Sequence, residues 1–158
     1  MEFFTIGVYS STEKSFFDKL TQNNIDTFCD IRQRRGVRGS RYSFVNSNRL
    51  QVRLSELNIK YEHVLTLAPT TEIRMLQKEA DTKKGNLKRD RNKLGAIFTA
   101  SYNKKVINQF NFNNFINSLS NSEAKRIVLF CVEEKPEACH RSIVTDRLEI
   151  MGYKITHL

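Results

Sequence analysis

Two cysteines and a histidine stand close together near the carboxyl terminus, in Cys131-Val132-Glu133-Glu134-Lys135-Pro136-Glu137-Ala138-Cys139-His140-Arg141-Ser142. The segment follows the most apolar run of the chain, Ile127 to Val132, and Pro136 predicts a helix opening at that residue. That spacing puts Cys131 near a strand end and Cys139 in the first turn of the helix. A helix N-terminus and nearby cations favour a thiolate. Cys139 is therefore a candidate nucleophile, His140 a nucleophile or proton carrier, and Glu133 an acid–base group. Arg141 and Ser142, at the same helix start, are candidates for holding phosphate. Two Cys and one His within ten residues, with Cys29 as a further sulfur, also raise the question of zinc. The adjacency of Cys139 and His140 reads against joint ligation, so neither metal nor other cofactor is expected. A Cys131–Cys139 disulfide is disfavoured in a reducing compartment, and Cys131 reads better as a small core hydrophobe than as a reactive thiol, whereas Cys139 fits either reading equally.

A second constellation runs from Asp30 to Tyr42. Residues 32–45 hold five Arg, at 32, 34, 35, 38 and 41, with two Gly and no acid. Arg grips phosphate bidentately and stacks on bases. Arg32, Arg35, Arg38 and Arg41 are thus candidate phosphate or nucleic-acid contacts, and Tyr42 a stacking surface. Asp30 reads either as a catalytic carboxylate or as the ion-pair partner of a neighbouring Arg. Gly7 and Ser10 belong to a third segment, Gly7-Val8-Tyr9-Ser10-Ser11-Thr12. Its backbone N–H groups either receive an anion or merely precede a capped helix. It is neither a Walker loop nor a three-glycine dinucleotide fingerprint. His63 reads as a structural strand residue. The stretch Arg74 to Lys93 holds eight basic residues against three acidic ones, which suits a basic groove or an exposed helix face.

Positioning these groups requires strands that end beside one another. Phe3–Val8, Asp26–Ile31, Lys60–Leu65, Arg126–Val132 and Tyr153–His157 read as strands. Glu13–Gln22 reads as a helix with Phe16, Phe17 and Leu20 on one stripe, capped by Ser11 or Thr12. Ser47–Leu57 carries Leu50, Leu54 and Leu57 at helical spacing. Leu94–Ser120 reads as a helical stretch rich in Phe and Asn. After Pro136 the apolar face is Ile143, Val144, Leu148 and Met151, closed by Gly152. Strands alternating with helices predict an α/β fold, a single three-layer domain over residues 1–158. Its sheet should be mainly parallel, about five strands and Rossmann-like, with a basic, partly helical insertion at about 71–93. In such sheets ligands bind beyond the carboxyl ends of the strands, where all three constellations fall.

Composition agrees with a globular domain. The 158 residues include 39% apolar and 27% charged, which excludes a disordered, collagenous or disulfide-scaffold chain. No run approaches the length of a membrane span, and the N-terminus lacks a signal-peptide pattern. Three cysteines, an odd count, suit reduced thiols, and the expectation is a soluble cytoplasmic protein with no membrane partner. A net charge of +9 predicts an anionic ligand.

The chain resembles the family known as domain of unknown function 488. The matching pieces are Thr5-Ile6-Gly7, Asp30-Ile31-Arg32, Gly36-Val37-Arg38-Gly39-Ser40 and Asn46 to Gln51. They continue through Ile59-Lys60-Tyr61-Glu62-His63, Leu67-Ala68-Pro69-Thr70, and Cys131-Val132-Glu133 to Cys139-His140-Arg141-Ser142. The resemblance implies a compact α/β domain in a bacterial type of cytosol and supplies no substrate or catalytic residue to carry over. The residues themselves predict an enzyme acting on a nucleotide or nucleic acid, by hydrolysis or glycosyl transfer. A non-catalytic nucleic-acid-binding module is the alternative, and a thiol redox or sulfur-handling protein the third reading.

Overall fold

A computed structural model describes residues 1–83, 85 and 92–158. The basic cluster Lys88, Arg89 and Arg91 lies outside the described residues. Among those described, five strands form one sheet: β1 (Glu2–Ile6), β2 (Thr27–Asp30), β3 (Lys60–His63), β4 (Arg126–Phe130) and β5 (Ile155–His157). The order is β3-β2-β4-β1-β5, and every neighbouring pair is parallel. Six α-helices connect them: α1 (Glu13–Gln22), α2 (Ser47–Glu56), α3 (Thr71–Lys83), α4 (Ala96–Tyr102), α5 (Phe112–Asn121) and α6 (His140–Ile150).

Side-chain alternation along the strands makes the three layers. Phe4, Ile6, Phe28, Val128 and Phe130 face one core with Phe16, Phe17 and Leu20 of α1 and Leu50 and Leu54 of α2. Phe3, Cys29, Ile127 and Leu129 face the other, with Phe98, Phe115, Ile116, Leu119, Val144 and Leu148. A strand buried on both faces favours an apolar run, which is why Ile127–Phe130 reads so clearly. None of the described helices is long and apolar enough to cross a membrane.

Local chemistry sets the helix ends. Thr12 caps α1 in a reciprocal capping box with Ser15. The expected long helix over 94–120 is instead broken. A single wide π-turn, Asn103–Ile107, follows α4, and α5 starts afresh where Asn111 accepts a hydrogen bond from the Asn114 amide at 2.9 Å. Pro136 also differs from expectation. It opens a one-turn 3-10 helix, Pro136–Ala138, and Cys139 is extended at φ −132°, ψ 145°. Cys139 therefore occupies the N-cap position, and α6 begins at His140.

Two groups packed around β2 make stability sensitive to alkali. Burial, then Glu62, pushes the Cys29 thiol far above its ordinary 9.0. Burial, then Asp30, pushes the Tyr61 hydroxyl from 10.0 up to about 12. Both raised groups keep their protons in the folded chain after the unfolded chain has lost them. Their stabilisation is complete below pH 9.0 and falls as pH rises beyond that, Cys29 first and Tyr61 from 10.0 upward. The urea midpoint should drop between about pH 8 and about pH 10.5, and Cys29→Ala should flatten the early part of the decline. Equal midpoints at both pH values would contradict this packing.

Candidate functional site

The connection leaving β2 passes over one face of the sheet through α2, while that leaving β4 passes over the other through α6. Adjacent parallel strands whose connections diverge open a crevice at their carboxyl ends. Here it lies between Asp30 of β2 and Phe130 of β4, which pair in register. The segments following β1, β2 and β4 converge on it.

At the β2 edge, Asp30 is wholly buried. Its Oδ1 accepts from the Arg32 amide at 3.1 Å and from Arg32 Nε at 2.8 Å. Its Oδ2 accepts from Arg32 Nη2 at 2.7 Å and from the Tyr61 hydroxyl at 2.9 Å. Four donors fill the lone-pair sites of one carboxylate. Arg32 Nη2 also donates to the Val45 carbonyl at 3.0 Å, and its guanidinium lies 4.5 Å from the Phe130 ring centre. This arrangement supports the ion-pair reading of Asp30 and withdraws Arg32 from free phosphate contact. His63 is half-buried, with Nε2 2.9 Å from the Arg32 carbonyl, so it braces the same turn.

At the β4 edge, the Cys131 thiol donates to Glu133 Oε2 at 3.2 Å, and Cys131, Glu133, Cys139 and His140 are all buried. His140 Nδ1 lies 3.8 Å from Cys131 Sγ and 3.7 Å from Cys139 Sγ. The adjacency that argued against convergence is overcome by backbone geometry. An extended Cys139 followed by a helical His140 turns two neighbouring side chains toward one point. A hydrogen bond with Cys139, burial, and the nearby acid Glu133 push the Cys131 thiol well above its ordinary value.

Arg141 is 1% exposed and spans two carbonyls, donating through Nη1 to Glu133 and through Nη2 to Glu134 at 2.6 Å. It fixes the loop rather than presenting its charge to solvent. Ser142 Oγ donates to the Cys139 carbonyl at 3.0 Å, so it too is engaged within the helix start. Gly7 packs directly on this loop, where a Cβ would stand 2.8 Å from the Glu133 carbonyl carbon and closer still to its oxygen. Its close approach is to protein backbone. Ser10 is left-handed at φ 68°, donates its amide to the Tyr42 hydroxyl at 3.1 Å and its Oγ to Glu134 at 2.8 Å. That residue therefore clasps all three loops.

Arg34, Arg38 and Arg41 are exposed, and Arg41 stacks on Tyr42 at 5.2 Å. Arg35 is half-buried beside the Tyr61 hydroxyl. Arg74, which the sequence marks only as the start of a basic stretch, joins this group. Its Nη1 donates to Gln33 Oε1 at 2.6 Å, and Gln33 donates to Thr71 at 3.0 Å. Burial, then Arg34, lowers the Arg74 pKa, with Cys131 and Glu133 opposing. Arg74 is thus tied to Gln33, the sequence neighbour of the exposed Arg34. No periodicity connects positions 34 and 74; only the fold does. A groove of about 840 Å³ lies elsewhere, between α4, the π-turn and α6, and none of the residues selected above lines it.

Residues 12–148 match the family model described as domain of unknown function DUF488. The chain belongs to the DUF488 family. Comparison with curated proteins finds no match, and comparison with solved structures finds none. In this DUF488 chain the match spans α1 through most of α6, and so takes in both edges of the crevice.

Proposed function

We propose that the protein is an enzyme acting on a phosphate-bearing nucleotide or nucleic acid at the crevice between β2 and β4. The observation that carries this reading is Arg74, anchored on Gln33, the sequence neighbour of the exposed Arg34. Bringing two guanidinium groups together costs free energy by like-charge repulsion, and an anion between them reverses the sign of that term. Arg74 is held in place by Gln33, so its orientation is set before any ligand arrives. Arg35, Arg38 and Arg41 extend the positive rim, and Tyr42 offers a ring for a base. Glu133 is the acid–base group of the reading, because it lies within electrostatic reach of Arg74. A phosphate on Arg74 would bring the adjoining part of the substrate toward that carboxylate.

The test is fluorescence anisotropy of labelled RNA and DNA oligonucleotides over a salt series, with mononucleotides as competitors. Four phosphates neutralised together give a log–log slope of about −3 on single strands and about −4 on duplex. Arg34→Ala/Arg74→Ala should flatten the slope by about 1 to 2. A shallow slope, unchanged in the double variant, would remove the anion site. Chromatography of nucleotides and oligonucleotides incubated with the protein tests catalysis separately. Binding without conversion would leave a nucleic-acid-binding module.

A further inference from the structure

We propose that Cys131, Cys139 and His140 form a binding site for zinc at the carboxyl end of β4, through Sγ, Sγ and Nδ1. The proposal stands independently of anion binding at the rim.

The three donor atoms lie within 4.8 Å of one another. Zinc holds thiolate sulfur at about 2.3 Å and imidazole nitrogen at about 2.0–2.1 Å in a tetrahedron, so its ligands sit about 3.5 Å (S to N) and 3.8 Å (S to S) apart. The observed S to N separations are 3.8 and 3.7 Å. Ion entry thus requires the S to N separations to shorten by a few tenths of an ångström and the two sulfurs, which lie within 4.8 Å, to close by at most about 1 Å.

A second observation concerns the ring itself. His140 Nε2 lies 3.0 Å from the Ile31 carbonyl, which can only accept a hydrogen bond. Nε2 must carry the proton, and in the neutral ring Nδ1 is then a bare lone pair beside both sulfurs. An imidazole whose other nitrogen is tied to a carbonyl is the usual second-layer arrangement around metal-bound histidine. The ring plane is further held by an edge-to-face contact with Tyr102 at 5.5 Å, and the Tyr102 hydroxyl is anchored on the Leu67 carbonyl at 2.5 Å. Backbone hydrogen bonds on either side, Ile31 to Phe130 and Cys131 to Ile6, fix the frame from which the ligands project.

The donor set selects the metal. Two thiolates and an imidazole suit zinc and other borderline or soft ions, and not calcium or magnesium. Binding converts two thiols to thiolates and releases two protons, with no change in oxidation state. Glu133, already accepting from the Cys131 thiol, takes up that proton on its way to solvent. Three protein ligands leave a fourth position, which water or substrate fills in catalytic zinc sites.

Untagged, reduced, chelator-treated protein is titrated with Co2+ and followed by visible absorption. The expected result is one equivalent per chain, with intense tetrahedral d–d bands and a thiolate-to-cobalt charge-transfer band, all removed by adding Zn2+. Cys139→Ala and His140→Ala should each lose affinity by more than the ~100-fold that loss of an outer-layer partner alone costs, with folding checked by circular dichroism. Zinc-edge X-ray absorption of the zinc-loaded wild type needs no variant and should show two sulfur neighbours and at least one nitrogen. Absence of thiolate-to-cobalt charge transfer, unaltered bands in folded variants, or a zinc shell without sulfur would overturn the site.

Discussion

Replacing Asp30 by Ala is expected to cost the fold about 3–5 kcal/mol, the usual penalty for stranding a buried charge. Arg32 is 4% exposed and its Nη1 already has no hydrogen-bond partner among the described residues. Removing the carboxylate takes the partner from Nε and leaves Nη2 only the Val45 carbonyl. The penalty is one of desolvation, so it should vanish when both charges go. Asp30→Leu/Arg32→Met should recover most of the loss in urea denaturation, since well-packed apolar replacements of buried ion pairs are often neutral. A single variant within about 0.5 kcal/mol of the parent would mean that the pair is not buried as described. The double variant also separates scaffold from chemistry. If it folds and still binds oligonucleotides with the parent salt slope, Asp30 and Arg32 shape the rim without contacting the ligand.

Gly7→Ala should be nearly as damaging, on the order of 3 kcal/mol, lowering Tm by ~6–12 °C. The obstacle is the Glu133 backbone rather than a flexible side-chain tip, so relief requires moving the end of β1 away from the loop after β4. That loop is bonded to the segment just after Gly7, where the Val8 and Tyr9 amides both donate to the Val132 carbonyl at 3.2 and 3.1 Å. It is also where Arg141 grips the Glu133 carbonyl. The substitution therefore pushes on the same atoms that hold Glu133 in the crevice. Anion binding should weaken together with stability. An alanine variant with parent Tm would show that the two backbones are farther apart than described.

Much of the scaffold is readable from residue order because burial on two faces imposes a dense apolar code. Ile127–Phe130 is buried and apolar throughout, and Phe16, Phe17 and Leu20 recur at helical spacing because α1 buries one stripe. Boundaries set by single hydrogen bonds are less visible. Pro136 suits the start of an α-helix and of a 3-10 turn alike, and only the extended Cys139 decides between them. The site follows the same division. Residues after strand ends converge because parallel strands end together, which is why Asp30, Glu133 and His140 are legible candidates. Their partners are not. Asp30 and Arg32 are two positions apart, yet their ion pair depends on Tyr61 and Val45 being brought alongside. Arg141 carries the same charge as Arg34, and only its burial turns it from a ligand contact into a brace. Arg74 gains its meaning wholly from the packing of α3 against the β2 loop.

If the proposed function holds, anions meet this protein at the crevice between β2 and β4. Backbone amide shifts in the nuclear magnetic resonance spectrum, followed during titration with an oligonucleotide and then a mononucleotide, locate the contact directly. The largest changes are expected at Ser10, Gln33 to Tyr42, Arg74 and Glu133 to Arg141. Changes confined to Asn103–Asn113 and Ile143–Met151, around the separate groove, would contradict it.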